Sequence, residues 1–174
     1  MKLPAAFVKE SENIHVVVEC TRGSHHKINY DPASEMFKLS EIFPAGVVFP
    51  FEFGFVPHTK ADDGDPFDVI LLADDPLFTG CLAEARLIGV IEAEQTDEGK
   101  RIRNDRAIAV AVESKQYKSI KTMDELDKNF VDDMVDFIAA YQKRSEHHFT
   151  PLRFSGPERA VELIKETIWS PFFV

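Results

Sequence analysis

From Ile14 to Cys20 apolar and polar positions alternate, with Ile14, Val16, Val18 and Cys20 on one face and His15, Val17 and Glu19 on the other. A period of two predicts a half-buried strand and projects Glu19 from its less apolar side. Thr21-Arg22-Gly23-Ser24 is a turn, and Lys27 to Tyr30 a short second strand that stops at Asp31-Pro32. Alternation returns from Met36 to Phe43 around Phe37, Leu39 and Ile42; Pro44 and Gly46 then break the chain before a Phe-rich stretch, Phe49 to Phe55. Asp68 to Leu72 is the most continuously apolar strand, closed by Asp74-Asp75-Pro76. Cys81 to Glu94 reads as a long strand kinked at Gly89. A polar segment, Gln95 to Arg103, turns at Asp97-Glu98-Gly99, and Ala107 to Val112 forms another strand. Short strands at this spacing predict a small barrel.

After Ser119 the period changes. Thr122-Met123-Asp124-Glu125 has the form of a capping box, and Leu126, Phe130, Val131, Met134, Ile138 and Tyr141 recur at helical spacing behind it. A second helix starts at Ser155-Gly156-Pro157 and carries Ala160, Val161, Ile164 and Ile168 on one face. The expected architecture is α+β and mainly β, a barrel flanked by two α-helices in a single domain over residues 1–174. Trp169 to Val174 is apolar for a tail and is expected to pack on the body or on a neighbouring subunit.

Composition narrows the class. The chain is 44% hydrophobic and 29% charged, ordinary for a folded domain, and its length supports a core without staples. Asp and Glu outnumber Lys and Arg by 30 to 20, so the field repels nucleic acid and anionic membranes and attracts cations. No apolar run reaches a membrane span, and Met1-Lys2-Leu3-Pro4 lacks a secretory h-region. Cys20 and Cys81 lie in apolar strand-like segments and read as buried free thiols in a reducing compartment. A cytoplasmic protein is expected.

The chemistry concentrates in Asp62-Asp63-Gly64-Asp65-Pro66-Phe67-Asp68, which runs straight into Val69-Ile70-Leu71-Leu72. Four carboxylates this close resist joint ionisation unless something positive sits between them, and an all-oxygen set suits Mg²⁺ or Mn²⁺ better than zinc. Three of them, at spacings i, i+2 and i+5, enter an apolar strand rigid enough to hold them in place. Neither register of the run supplies the Gly and Glu of a calcium EF-hand loop. His25-His26 and His147-His148 lack partners at zinc spacing and read as solvent-exposed loop residues.

Asp63-Gly64-Asp65-Pro66-Phe67-Asp68 is similar to the D-x-D-P-x-D signature of the soluble family I inorganic pyrophosphatases. The resemblance extends upstream through Phe49 to Phe55 and back to Val16-Val17-Val18-Glu19, and downstream through Gly80, Gly89-Val90 and the late helix ending in Tyr141. It implies a small closed OB-like barrel, Mg²⁺ or alternatively Mn²⁺ as cofactor, pyrophosphate as substrate and a homo-oligomer. By the same resemblance Asp63 and Asp68 bind the central metals, Asp65 helps deprotonate the nucleophilic water, and Glu19 acts in the outer metal sphere. Lys27, Arg106 and Tyr141 match substrate-binding positions.

Several positions depart from that pattern. Asn29 stands where the family's Lys-x-Glu has its carboxylate, and Glu41 where it has a phosphate-binding arginine. Phe49, Phe53 and Phe55 replace tyrosines, and Gln142 replaces a lysine. The hairpin that supplies two further metal-binding Asp residues is longer and reads Glu94 to Arg106. Its candidates are Glu94 and Asp97 on one side, with Asn104 where an Asp is expected and Asp105 beside it on the other. Two readings follow. One is a divergent Mg²⁺-dependent diphosphatase whose lost cations are replaced by others such as Arg22, Lys38, Lys60 or Arg101. The other is a weakened or non-catalytic protein of the same fold, acting in binding or assembly or on another phosphoanhydride.

Overall fold

A computed structural model describes residues 3–97, 99–144 and 147–169, Asp97 by its backbone alone. Among these residues nine strands run in chain order as β1 (Ile14–Cys20), β2 (His26–Asp31), β3 (Met36–Ile42), β4 (Glu52–Val56), β5 (Phe67–Leu72), β6 (Leu82–Asp97), β7 (Lys100–Arg103), β8 (Arg106–Ala111) and β9 (His148–Ser155). Two α-helices, α1 (Lys128–Arg144) and α2 (Pro157–Thr167), bracket β9. Strands β1-β4-β5-β8-β6 pair in that order, and β6 pairs back onto β1, so the sheet closes into a barrel. Among the described strands only β5 and β8 pair in parallel, and their register sets Asp68, the second residue of β5, beside Arg106, the first of β8. The β2–β3 hairpin forms a separate sheet.

Strand β5 explains why its sequence is continuously apolar. Val69 and Leu71 pack into one core with Ala160, Val161 and Ile164 of α2, while Ile70 and Leu72 pack into another with Met134 and Ile138 of α1. Both faces are buried, so the period of two disappears. Each fully buried Ile of this kind stabilises the fold by about 1.5–3 kcal/mol. Asp68 shares the parity of Ile70 and Leu72 and therefore faces the α1 side.

The long β6 serves β1, β8, β9 and β7 in turn, and it bends at a bulge between Leu87 and Gly89. This is the expected kink. A Cβ on Gly89 would lie 2.5 Å from Met123 Cγ and 2.8 Å from the Ser155 carbonyl oxygen, so only glycine fits.

Four expectations need correction. A bulge between Val18 and Cys20 puts Cys20 in the α1-side core while Val16 and Val18 stay in the other, so the single apolar face predicted for β1 does not persist. Residues Met123–Glu125 form an isolated 3-10 turn, and α1 begins only at Lys128, where Asp127 Oδ1 accepts the Asn129 and Phe130 amides at 2.9 and 3.4 Å. Strand β9 takes in His148, expected in a loop, and residues to which the sequence assigns no element, because the far half of β6 offers an edge to pair. Helix α2 ends at Thr167, leaving Ile168 48% exposed.

Trp169 donates its amide to the His58 carbonyl at 2.9 Å; the rest of the apolar tail lies outside the described residues. No described helix is long and apolar enough to cross a membrane.

Candidate active site

The acidic loop is shaped by its own backbone. Gly64, at φ 94°, turns the chain; the Ala61 amide donates to the Asp65 carbonyl at 2.8 Å and the Asp65 amide to Asp63 Oδ1 at 3.1 Å. Thr59 Oγ1 accepts the Phe67 amide and donates to the Val56 carbonyl, pinning the entry to β5. Asp68 then meets Arg106 across the parallel pair, Nη2 to Oδ2 at 3.4 Å. Arg106 is 1% exposed, donates Nη1 to the Asn104 carbonyl at 3.0 Å, and lies 4.8 Å over the Phe149 ring.

Glu19, at the β1 bulge, lines the same cavity, where its Oε1 accepts the Tyr30 amide at 2.6 Å. Lys27 of β2 lies 5.1 Å over the Tyr141 ring of α1. These elements enclose a cavity of about 270 Å³ whose lining includes Glu19, Lys27, Asp63, Asp65, Asp68, Arg106 and Tyr141. The structure thus gathers seven of the ten residues singled out from the sequence.

Charge in this cavity is unbalanced: four carboxylates face Lys27 and Arg106. Burial pushes Glu19 up to about 8 against the Tyr30 hydrogen bond, with Asp68 and Asp65 adding to the rise. Burial likewise pushes Asp68 up to about 7; Arg106 opposes this, and Asp63 and Asp65 reinforce it. Asp63 is raised as well, chiefly by burial. Among the described residues no three His, Cys, Asp or Glu side chains close on one point as a finished ion cage. The carboxylates instead ring the cavity, and burial raises the proton affinity of Glu19, Asp63 and Asp68, so that a bound cation would take the place of those protons. Hard oxygen donors, surplus negative charge and room for retained water suit an ion of the Mg²⁺ class.

The other predicted ligands are not brought there. Glu94 pairs with Arg101 at 3.7 Å. Asp105 accepts the Ala93 amide at 2.9 Å and pairs with Arg103 at 2.8 Å, beside a separate cavity. The side chain of Asp97 lies outside the described residues. None of the replacement cations lines the acidic cavity. Arg22 donates to the Ala73 and Asp74 carbonyls, Lys38 pairs with Asp31, Lys60 lines the separate cavity, and Arg101 holds Glu94. Glu41 pairs with Arg144 at 3.0 Å.

Sequence reading passed over part of the lining. Tyr30 stacks on Phe55, with ring centroids 5.3 Å apart, and both border the cavity. Gln95, Asn104 and Gln142 form a buried amide cluster at the hairpin end, and His147, expected as an exposed loop residue, stands beside it, Nδ1 3.3 Å from Gln95 Nε2. The departures at Asn104 and Gln142 pointed here, but neutral amides carry no metal-site signal.

Comparison with known proteins agrees with this geometry. The family model described as inorganic pyrophosphatase matches residues 16–170. An inorganic pyrophosphatase of Haloferax volcanii is 35% identical over 131 residues, 75% of this chain and 72% of its own. One from a Nostoc species is 30% identical over 155 residues, 89% of each chain. Among solved structures, the inorganic pyrophosphatase of Neisseria gonorrhoeae superposes with a TM-score of 0.84 at 30% identity, covering 94% of both chains. That of Thermus thermophilus gives 0.84 at 27%, covering 95% of this chain and 94% of its own. Fold, cavity and sequence therefore agree: the chain belongs to the inorganic pyrophosphatase family.

Proposed function

We propose that this protein is a Mg²⁺-dependent inorganic diphosphatase, splitting pyrophosphate into two phosphates by attack of a water molecule. The observation that carries the reading is the convergence of Glu19, Asp63, Asp65 and Asp68 with Lys27 on one cavity. Family membership implies a divalent metal, and Asp63, Asp65 and Asp68 would hold it. When bound, it neutralises the phosphate oxygens and acidifies water.

The protein's own part is positioning and proton handling. Asp65 takes the proton of the attacking water as its oxygen bonds to phosphorus and the bridging P–O bond breaks. Arg106 fixes Asp68 from beneath. Glu19, tethered by the Tyr30 amide, orients water around the metal. Lys27, resting on Tyr141, is the cavity-lining cation that reaches toward substrate, because Arg106 is sealed in the wall. Cytoplasmic location and homo-oligomerisation belong to the same reading; the free thiols of Cys20 and Cys81 suit a reducing compartment.

A second reading, a weakened or non-catalytic protein of this fold, draws support from Glu41, which spends its charge on Arg144, and from the absence of the replacement cations from the cavity. Phosphate release from pyrophosphate, measured with Mg²⁺ and then Mn²⁺ beside an Asp65→Asn variant, separates the two. Metal-dependent release that collapses in the variant supports the diphosphatase; no release above the variant with either metal overturns it.

A further inference from the structure

Three buried amides meet at the hairpin end of the cavity. Gln95 (β6) is 9% exposed, Asn104 (the β7–β8 link) 6% and Gln142 (α1) 4%. Asn104 Nδ2 donates to Asp63 Oδ2 at 2.9 Å and to Gln95 Oε1 at 2.8 Å; Gln142 Nε2 donates to the same Oε1 at 3.0 Å.

The orientation of every amide follows from the carboxylate. Asp63 Oδ2 only accepts, so Asn104 must turn its NH₂ toward it. That NH₂ also faces Gln95, which must therefore present its oxygen, and Gln142 its nitrogen. Asp63 is thus held at both oxygens, Oδ1 by the Asp65 amide and Oδ2 by Asn104. A carboxylate at position 104 would instead place a second negative charge about 3 Å from Asp63.

We propose that Asn104, braced by Gln95 and Gln142, is a positioning residue that sets Asp63 for cation binding and takes no cation itself. Asn104 acts only through Asp63, and the amide end of the cavity adds no ion to those held by the carboxylates. The proposal rests on the reading of Asp63 as a cation ligand. Outer-shell partners of this kind typically govern metal affinity by 10–100-fold.

The test is calorimetric titration of Mn²⁺ into the full chain, Asn104→Ala, Asp63→Asn and the double variant, with the metal-free melting temperature of each recorded. Asn104→Ala is expected to weaken Mn²⁺ binding 10–100-fold in the natural background and to add nothing in the Asp63→Asn background. Asn104→Ser, which keeps a donor, is expected to recover part of the loss. An equal loss in both backgrounds, or none in either, overturns the proposal while leaving the metal reading intact. Loss that merely tracks a drop in metal-free melting temperature, unrelieved by Asn104→Ser, also overturns it. If the natural chain binds no Mn²⁺, or Asp63→Asn leaves binding unchanged, the metal reading of Asp63 fails and the proposal with it. Binding without any hydrolysis would overturn only the diphosphatase.

Discussion

The acidic end and the hairpin end of the cavity are built from different chemistry on the same barrel. At the acidic end Asp63, Asp65, Asp68 and Glu19 crowd together with Arg106 beneath them, and burial raises the proton affinity of Glu19, Asp63 and Asp68. At the hairpin end Gln95, Asn104 and Gln142 hydrogen-bond to one another and Asn104 to Asp63, while the buried Gln142 Oε1 has no partner among the described residues. One end is short of positive charge and stores an affinity for cations; the other is electrically quiet and stores geometry. A family member can evidently keep its carboxylate core while rebuilding the facing side in amides.

The largest effect that would break this contrast lies at the acidic end. Asp65→Asn is expected to lower phosphate release by roughly 10²–10⁴-fold, the range for loss of a general base. A loss shared equally by a hairpin-end variant such as Gln142→Ala would erase the distinction. Next is Arg106→Met, which strands Asp68 without its ion pair; urea unfolding of the metal-free protein is expected to show a loss of about 3 kcal/mol. Divalent metal should restore much of it, since a bound cation replaces the lost charge.

Asn104→Asp converts the quiet end into a charged one. It exchanges a hydrogen bond for like-charge repulsion and should lower metal-free stability by about 2 kcal/mol, again recovered by Mg²⁺. A further effect concerns pH. Glu19 and Asp68 rise from ordinary values of 4.5 and 3.8 to about 8 and about 7, so the folded chain binds their protons more tightly than the unfolded chain does. That stabilisation is fully present below about pH 4 and is lost as pH rises through 7 and 8. The urea midpoint in chelator should therefore fall between pH 5 and pH 8, and Glu19→Gln should flatten the slope. A midpoint that climbs over that interval would contradict the assigned crowding.

The acidic end was largely legible in the sequence, and the hairpin end was not. Asp63, Asp65 and Asp68 announce themselves because the Gly64 turn feeds directly into β5, whose strand period carries Asp68 to a fixed face. Alternation along β1 puts Glu19 opposite Val16 and Val18, on the side of the cavity, whereas the bulge that carries Cys20 into the α1-side core is a register shift that alternation does not encode. At the other end the carboxylates Glu94, Asp97 and Asp105 signal metal chemistry, and Asn104 stands out only as an amide where an Asp is expected. Which residue of the Asn104-Asp105 pair enters the cavity is set by the pairing of β6 with β7, beyond local reach. Strand β9 was invisible for a similar reason: Pro151 and polar neighbours look irregular until the free edge of β6 is known.

Anomalous diffraction from crystals soaked with Mn²⁺ tests the contrast most directly. The expected result is density against Asp63, Asp65 and Asp68, with no ion touching Gln95, Asn104 or Gln142. An ion coordinated by Asn104 or Gln95, or an acidic end left bare at saturating Mn²⁺, would contradict it.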